Sequence, residues 1–186
     1  MGWENIDKAF FVFINQGLQN DWFDLMMPFI RNQFFWAPLY LFMLLFVAVN
    51  FEHNRKWWIL FFIILPMVTD YVSSSLIKEN FFRLRPCNDL EMVKTARFLL
   101  NYRPQSSSFT SSHATSHFAL AAFFFYTLKT KMKNWAYLFF IWAFVICFAQ
   151  VYVGVHYPID VICGGLLGYF IGKGFSLFFN KKFQLI

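Results

Sequence analysis

Trp57–Ile77, WWILFFIILPMVTDYVSSSLI, carries a single charged side chain, Asp70. An α-helix rises ~1.5 Å per residue, so about 20 such residues cross the ~30 Å hydrocarbon core of a bilayer. Four other runs have the same character: Phe34–Val49, Thr115–Leu128, Trp135–Val155 and Ile159–Phe179, whose only charges are Asp160 and Lys173. Phe34–Val49 and Thr115–Leu128 are short and need their flanks, Arg31–Phe34 and Ser111–Thr115, to reach across. The pattern predicts an all-α, polytopic membrane helical bundle with about five transmembrane helices.

Composition agrees. The chain has 186 residues, 59% of them apolar, with 29 Phe and 7 Trp, and only 14% charged. A soluble domain is nearer ~25% charged. That much Phe is hard to bury in so small a core, because small domains keep much of their surface in contact with solvent. Lipid is the simpler solvent.

Met1–Lys8 holds two acids and one lysine and is followed by the short apolar stretch Ala9–Ile14 without a small-residue cleavage site, so it does not read as a signal peptide. Trp3–Asn15 reads as an amphipathic helix in the interface, and Trp22–Phe29 as a second, with Trp3 and Trp22 at headgroup level. A sixth, partial span is the alternative. No repeat or low-complexity linker is visible. The expectation is one domain over 1–186, with interfacial helices in 1–30 and the membrane core in 31–180. Cys87, Cys147 and Cys163 have no metal spacing and read as small hydrophobes.

With five spans, Glu52–Lys56, Lys129–Lys133 and Lys181–Lys182 share one side, read as cytoplasmic. The other side carries Arg31, Lys78, Arg83, Arg85, Lys94, Arg97 and Arg103. The two counts are nearly equal, so the outer cations invite a reason beyond topology, and phosphate binding is one. The formal charge of +6 suits anionic lipid headgroups or an anionic substrate. Nucleic acid would need a soluble basic face, and none is evident.

Three polar islands interrupt the apolar runs: Lys78–Pro86 (KENFFRLRP), Ser111–His117 (SSHATSH) and Gln150–Asp160 (QVYVGVHYPID). In the first, Pro86 keeps Arg85 extended, so its guanidinium and the Lys78 ammonium can converge on one anion. Both are otherwise snorkelling interface cations. In the second, hydroxyls before an apolar run mark a helix N-terminus, whose free N–H groups bind anions. Ser111 and Ser112 add hydroxyls, and His113 falls in the first turn. His117, one turn on, reads as a polar core residue. A metal site built from the two histidines would lack further ligands. In the third, His156 and Asp160 are one turn apart. The carboxylate can hold Nδ1–H and leave Nε2 facing a substrate. Ionisable groups at a span end are costly and hence functional by default. Two imidazoles allow one to attack phosphorus and the other to protonate the leaving group.

Lys-x6-Arg-Pro, a Ser-x-His island and His-x3-Asp, in that order, resemble the type-2 phosphatidic-acid phosphatase superfamily, the lipid phosphate phosphatases. The resemblance spans Trp57 to Phe179. It implies His156 as nucleophile through a phosphohistidine, Asp160 as its orienter and His113 as acid. It further implies phosphate held by Lys78, Arg85, Ser111, Ser112 and Gln150, with no metal and no cofactor. Two positions depart. The second motif reads Thr110-Ser111-Ser112-His113 where the family has Pro-Ser-Gly-His. The third begins Ala149-Gln150 where the family has Ser-Arg. Gln150 brings no charge, and Arg83, Arg97 or Arg103 are the expected sources of a replacement.

The expectation is a multi-pass phosphatase of the bacterial inner membrane with its site on the external, periplasmic face. The partners are the bilayer and a lipid phosphate. Compact members of the family act on undecaprenyl pyrophosphate, phosphatidylglycerol phosphate, phosphatidic acid or lipid A phosphates, and the first two head the list. Specificity is expected in Arg31–Trp36, in the Cys87–Gln105 loop and in the groove between spans. The alternative is a non-catalytic phospholipid-binding relative with a pocket impaired at Gln150. Oligomeric state is not legible.

Overall fold

The computed structural model describes residues 2–185, and their regular structure is entirely helical. The α-helices are α1 Trp3–Val12, α2 Asp21–Ile30, α3 Ala37–Asn50, α4 Arg55–Asp70, α5 Ser112–Met132, α6 Leu138–Tyr152 and α7 Pro158–Lys182. Wide π turns prolong α1 over Phe13–Gly17 and α4 over Tyr71–Ile77, and a 3₁₀ turn at Gln33–Trp36 leads into α3.

Among the described residues, four helical stretches are long and apolar enough to cross a membrane: Gln33–Asn50, Arg55–Ile77, Ser112–Tyr152 and Pro158–Lys182. The third contains both α5 and α6. Lys133 takes φ 51° between them, and the chain passes through a 3₁₀ turn over Lys133–Tyr137. The two helices then run back along each other: Phe125 meets Phe140 at 5.2 Å, Phe124 meets Phe139 at 5.1 Å and His117 meets Trp142 at 5.1 Å between ring centroids. This antiparallel pairing makes the 41-residue stretch a hairpin and accounts for two of the expected spans.

Local chemistry sets the ends. Ser111 caps α5, its hydroxyl accepting from the Ala114 N–H at 3.4 Å. Pro158 opens α7, where its missing N–H is no loss, and Lys181 and Lys182 sit in the last turn, where the helix dipole favours cations. Asn54, at φ 56°, turns the chain from α3 into α4. Its amide donates to the Phe183 carbonyl and to that of Gln184, and Trp57 stacks on Phe183, tying the C-terminus to this end of the bundle.

The core is aromatic, with Trp58, Phe62, Phe123 and Phe124 stacked on one another. Large apolar side chains such as Phe42, Ile63, Phe144, Ile162 and Phe170 remain exposed on the helix surfaces, as a lipid-facing bundle requires. The helix at Trp3–Asn15 is amphipathic as read, but its polar face is the inner one. Trp3, Ile6, Phe10 and Phe13 point outward, while Asp7 and Asn15 are buried. Inward-facing polar groups must then find partners in the protein, and they do so in the active site described below.

The closest approach in the bundle is between α5 and α7. A Cβ at Gly168 would lie 2.0 Å from the Thr115 carbonyl oxygen, one at Gly172 2.1 Å from that of Ala119, and one at Gly164 2.7 Å from that of Ser111. These glycines recur every fourth residue, the small-x3-small spacing that lets helix backbones touch in membranes. Gly168→Ala should therefore lower thermal stability by about 1–3 kcal/mol or more and reduce activity with it. Gly174→Ala, with no atom within 4 Å of its Cβ, should do neither. Melting curves in detergent for the two variants check this.

Candidate active site

Three segments meet where α5 and α7 begin and α6 ends. The 83–85 strand of loop brings two arginines, the N-terminus of α5 brings Ser111–His113, and the turn after α6 brings His156. The Ser111 N–H donates to the Asp160 carbonyl at 3.1 Å, joining the first turns of α5 and α7 directly.

His156 is 2% exposed, and Asp160 and Ser108 are fully buried. Arg85 NH1 donates to His156 Nε2 at 3.1 Å, which makes Nε2 the acceptor and leaves the proton on Nδ1. Burial chiefly, with the Arg85 charge adding to it and the Asp160 carboxylate opposing, pulls the imidazole down to about 4. The ring is therefore neutral at neutral pH, with its Nε2 lone pair accepting from Arg85. The expected Nδ1–carboxylate contact is longer than a hydrogen bond, at 3.7 Å. Ser108 stands between: its hydroxyl donates to Asp160 Oδ2 at 2.5 Å and lies 3.4 Å from Nδ1. Asp160 Oδ2 also accepts the Tyr157 N–H at 2.9 Å.

Arg83 closes the far side of this carboxylate. It donates to Asp160 Oδ1 and to Asp7 Oδ2, each at 2.6 Å, and lies over the Tyr157 ring at 4.3 Å. Asp7 Oδ1 in turn accepts the Ile159 N–H at 2.9 Å. The N-terminal helix is thus stitched to the turn that carries His156. Asn15 does the same about two turns on, donating to the Tyr152 carbonyl at 2.7 Å and the Arg97 carbonyl at 2.9 Å.

Arg85 is held by the loop: it donates to the Ser106 carbonyl at 2.8 Å, to the Ser106 hydroxyl at 3.0 Å and to the Val155 carbonyl at 3.1 Å. Its partners are neutral, and among the described residues neither it nor Lys78 takes part in an ion pair. Burial, reinforced by the Arg85 charge, pulls the Lys78 ammonium down to about 8. His113 stands within electrostatic reach of Lys78, His156 and Arg31. His117 lies one turn further along α5, its ring parallel to that of His113 at 6.2 Å between centroids and lining the same cavity. Its Nδ1 donates to the His113 carbonyl at 2.7 Å, and its Nε2 accepts from the Tyr40 hydroxyl at 3.1 Å. Among the described residues no three His, Cys, Asp or Glu side chains group as metal ligands.

The hydroxyls are already engaged. Ser111 caps its helix, and Ser112 shares a 3.0 Å hydrogen bond with Ser74, which donates to Asp70 Oδ1 at 2.9 Å. Asp70 meets these hydroxyls and no loop cation among the described residues. Gln150 departs most from expectation. It is fully buried, and its amide faces Arg31 rather than open space: Oε1 accepts from Arg31 Nε at 3.3 Å. The three expected sources of a replacement charge are spent elsewhere. Arg83 binds Asp160 and Asp7, Arg97 pairs with Asp24, and Arg103 lies over Phe98 at 5.6 Å. Ser108 and Asp7 are neighbours of the site that spacing alone did not single out, whereas Arg83 and Arg31 were counted among the outer cations but not with these partners. The serine run Ser106–Ser108 was visible, but a serine's long-range partner is not.

Two cavities open onto His113. One of about 600 Å³ runs between α3, α4 and α5 and is lined by apolar Phe34, Tyr40, Phe62, Ile63 and Met67 with Asp70 at its polar end. The other, about 630 Å³, is bordered by Arg31, Asn32, Asn101 and Tyr102.

The PAP2 superfamily profile matches residues 55–184. The chain is 28% identical over 180 residues to a lipid A 4'-phosphatase of Bacteroides thetaiotaomicron, covering 95% of this chain and 78% of that one. It is 30% identical over 141 residues to an undecaprenyl-diphosphatase of Sulfolobus acidocaldarius, covering 75% and 61%. The crystal structure of Aquifex aeolicus LpxE superposes with a TM-score of 0.68 at 25% identity, over 95% of this chain and 99% of that one. A Bacillus subtilis PAP2-type phosphatidylglycerolphosphate phosphatase shares the fold, with a TM-score of 0.66 at 21% identity over 96% and 87%. The chain belongs to the PAP2 superfamily and is a multi-pass membrane phosphatase.

The Lys78 ammonium is charged below its pKa and neutral above it. The kcat/KM for phosphate release should therefore decline as pH rises through about 8, where the free enzyme loses this cation. Lys78→Arg should carry the charge through and move that limb upward. A wild-type profile that stays flat well above this point would remove Lys78 from phosphate binding.

Proposed function

We propose that this phosphatase hydrolyses the phosphate ester of a membrane lipid through a phosphohistidine formed on His156. The observation that carries this reading is the buried, neutral His156 with Nε2 against the Arg85 guanidinium. A phosphate oxygen that takes over the donation of Arg85 would bring phosphorus to the Nε2 lone pair. Attack forms the N–P bond and breaks the P–O bond to the lipid. His113 gives its proton to the departing alkoxide. Water then attacks phosphorus, losing its proton to His113, and the N–P bond breaks to free inorganic phosphate and restore both imidazoles. Lys78, Arg85 and the N–H groups at the start of α5 offset the charge on the equatorial oxygens. Asp160, through Ser108, keeps the Nδ1 proton in place and stabilises the ring as it becomes positive.

A phosphorylated sugar lipid of the lipid A type leads the substrate list. Two curated relatives carrying that activity in their names align over 95% and 90% of this chain, ahead of the undecaprenyl diphosphatase at 75%. This reverses the order suggested by sequence alone. The apolar cavity beside His113 offers room for an acyl chain, and the polar one for a headgroup. The site is proposed to face the periplasm of a bacterial inner membrane.

Purified protein in mixed micelles, with chelator present, should release phosphate from lipid A faster than from undecaprenyl pyrophosphate, phosphatidylglycerol phosphate or phosphatidic acid. His156→Ala should abolish release, and His113→Ala should cut it by ~10²-fold or more. Acid-labile ³²P trapped on wild-type protein and missing from His156→Ala identifies the intermediate. Wild-type turnover in His156→Ala, or a chelator-sensitive rate restored by zinc, would sink the mechanism.

A further inference from the structure

Arg31 ends α2, before the first apolar span and outside the 55–184 stretch matched by the family profile. It is only 8% exposed. Its two side-chain partners are neutral: Nε donates to Gln150 Oε1 and NH1 to the Tyr102 hydroxyl, each at 3.3 Å. Among the described residues it joins no ion pair, and its other N–H groups meet no protein acceptor. A guanidinium this buried without a counter-ion is costly, because the transfer from water is repaid only by a charge or a full set of acceptors. Arg31 nevertheless stands within electrostatic reach of a second such guanidinium, Arg85. Arg31 and His113 line one cavity. Like charges gathered without acids describe a site waiting for an anion.

Gln150 explains how Arg31 is kept there. Its amide oxygen accepts from Arg31 Nε, and its amide nitrogen reaches the Arg31 carbonyl at 3.5 Å, so one side chain grips both the guanidinium and the backbone of the same residue. A neutral amide is suited to this, whereas an arginine at 150 would place a second cation against the first. From this geometry we infer that Arg31 is a third cation of the substrate-phosphate site, held in position by Gln150. The inference deepens the phosphatase reading and rests on the same site. A bidentate fork aimed from α2 would grip the phosphate oxygens not covered by Lys78 and Arg85. It also makes the N-terminal helices part of the binding surface.

The test is a charge transplant. Arg31→Gln should lower kcat/KM by ~10²-fold and raise the inhibition constant of orthovanadate tenfold or more, with the melting temperature held. Arg31→Lys should recover part of both, since it keeps the charge but not the fork. Gln150→Arg alone should also lose activity, through repulsion of Arg31. The double variant Arg31→Gln/Gln150→Arg should regain tenfold or more over Arg31→Gln, because one guanidinium again occupies the pair. Wild-type kcat/KM and orthovanadate inhibition in Arg31→Gln, or a double variant no better than that single, would overturn the inference. If Arg31→Gln does not fold, Gln150→Ala takes its place: a raised orthovanadate constant supports the role and an unchanged one refutes it. If the wild-type protein released no phosphate at all, the phosphatase reading would fail by itself. Inorganic phosphate binding by calorimetry would still decide the inference: weaker in Arg31→Gln supports it, equal in both overturns it.

Discussion

The contact on which the rest depends is backbone against backbone. Gly164, Gly168 and Gly172 let α7 lie on α5 so closely that a single Cβ would strike a carbonyl oxygen. Only at that distance can the Ser111 N–H reach the Asp160 carbonyl. That one hydrogen bond aligns the first turn carrying His113 with the first turn carrying Asp160, and through it His156. In lipid, helices gain no hydrophobic advantage by touching, so van der Waals fit and polar contacts must hold them. The aromatic stacking of Trp58, Phe62 and Phe124 fills the far half of the bundle but does not bear on this register.

Around that contact, buried polar groups are satisfied in layers. Asp160 is fully buried, and its oxygens receive Arg83, Ser108 and the Tyr157 N–H. Arg83 passes the charge on to Asp7, so no member of the chain is left alone in low dielectric. Breaking such a buried pair by removing one partner typically costs ~3–5 kcal/mol. The saturated carboxylate contrasts with the cations on the substrate side. Arg85, Lys78 and Arg31 have neutral partners or none among the described residues. One side of His156 carries a saturated carboxylate; on the other, Nε2 accepts from a guanidinium that joins no ion pair among the described residues.

The spans, the two N-terminal helices and the convergence of the three polar islands were legible because each is a short-range signal. Run length reports a span, and a four-residue interval reports one helix face. The glycine interval in α7 was equally short-range and readable, but its meaning depends on which helix lies opposite. The Arg31–Gln150 pair was not readable at all. Its members are 119 positions apart, and nothing in either neighbourhood names the other. The same holds for Asp7 with Arg83 and for Ser108 with Asp160. Sequence placed Gln150 on the phosphate, since a missing charge draws attention to its own position, and the replacement came from a helix outside the matched motifs.

The tie between Asp7 and the Ile159 N–H spans 152 positions, and it bears on how the protein is made. A ribosome delivers Asp7 152 residues before Ile159. Until α7 inserts, Asp7 lacks that partner and Arg83 has no second carboxylate to bridge. The proposed nucleophile, His156, arrives directly before α7. Under the proposed mechanism competence therefore waits on α7, and a chain inserted only as far as α6 has no means of attacking the lipids around it.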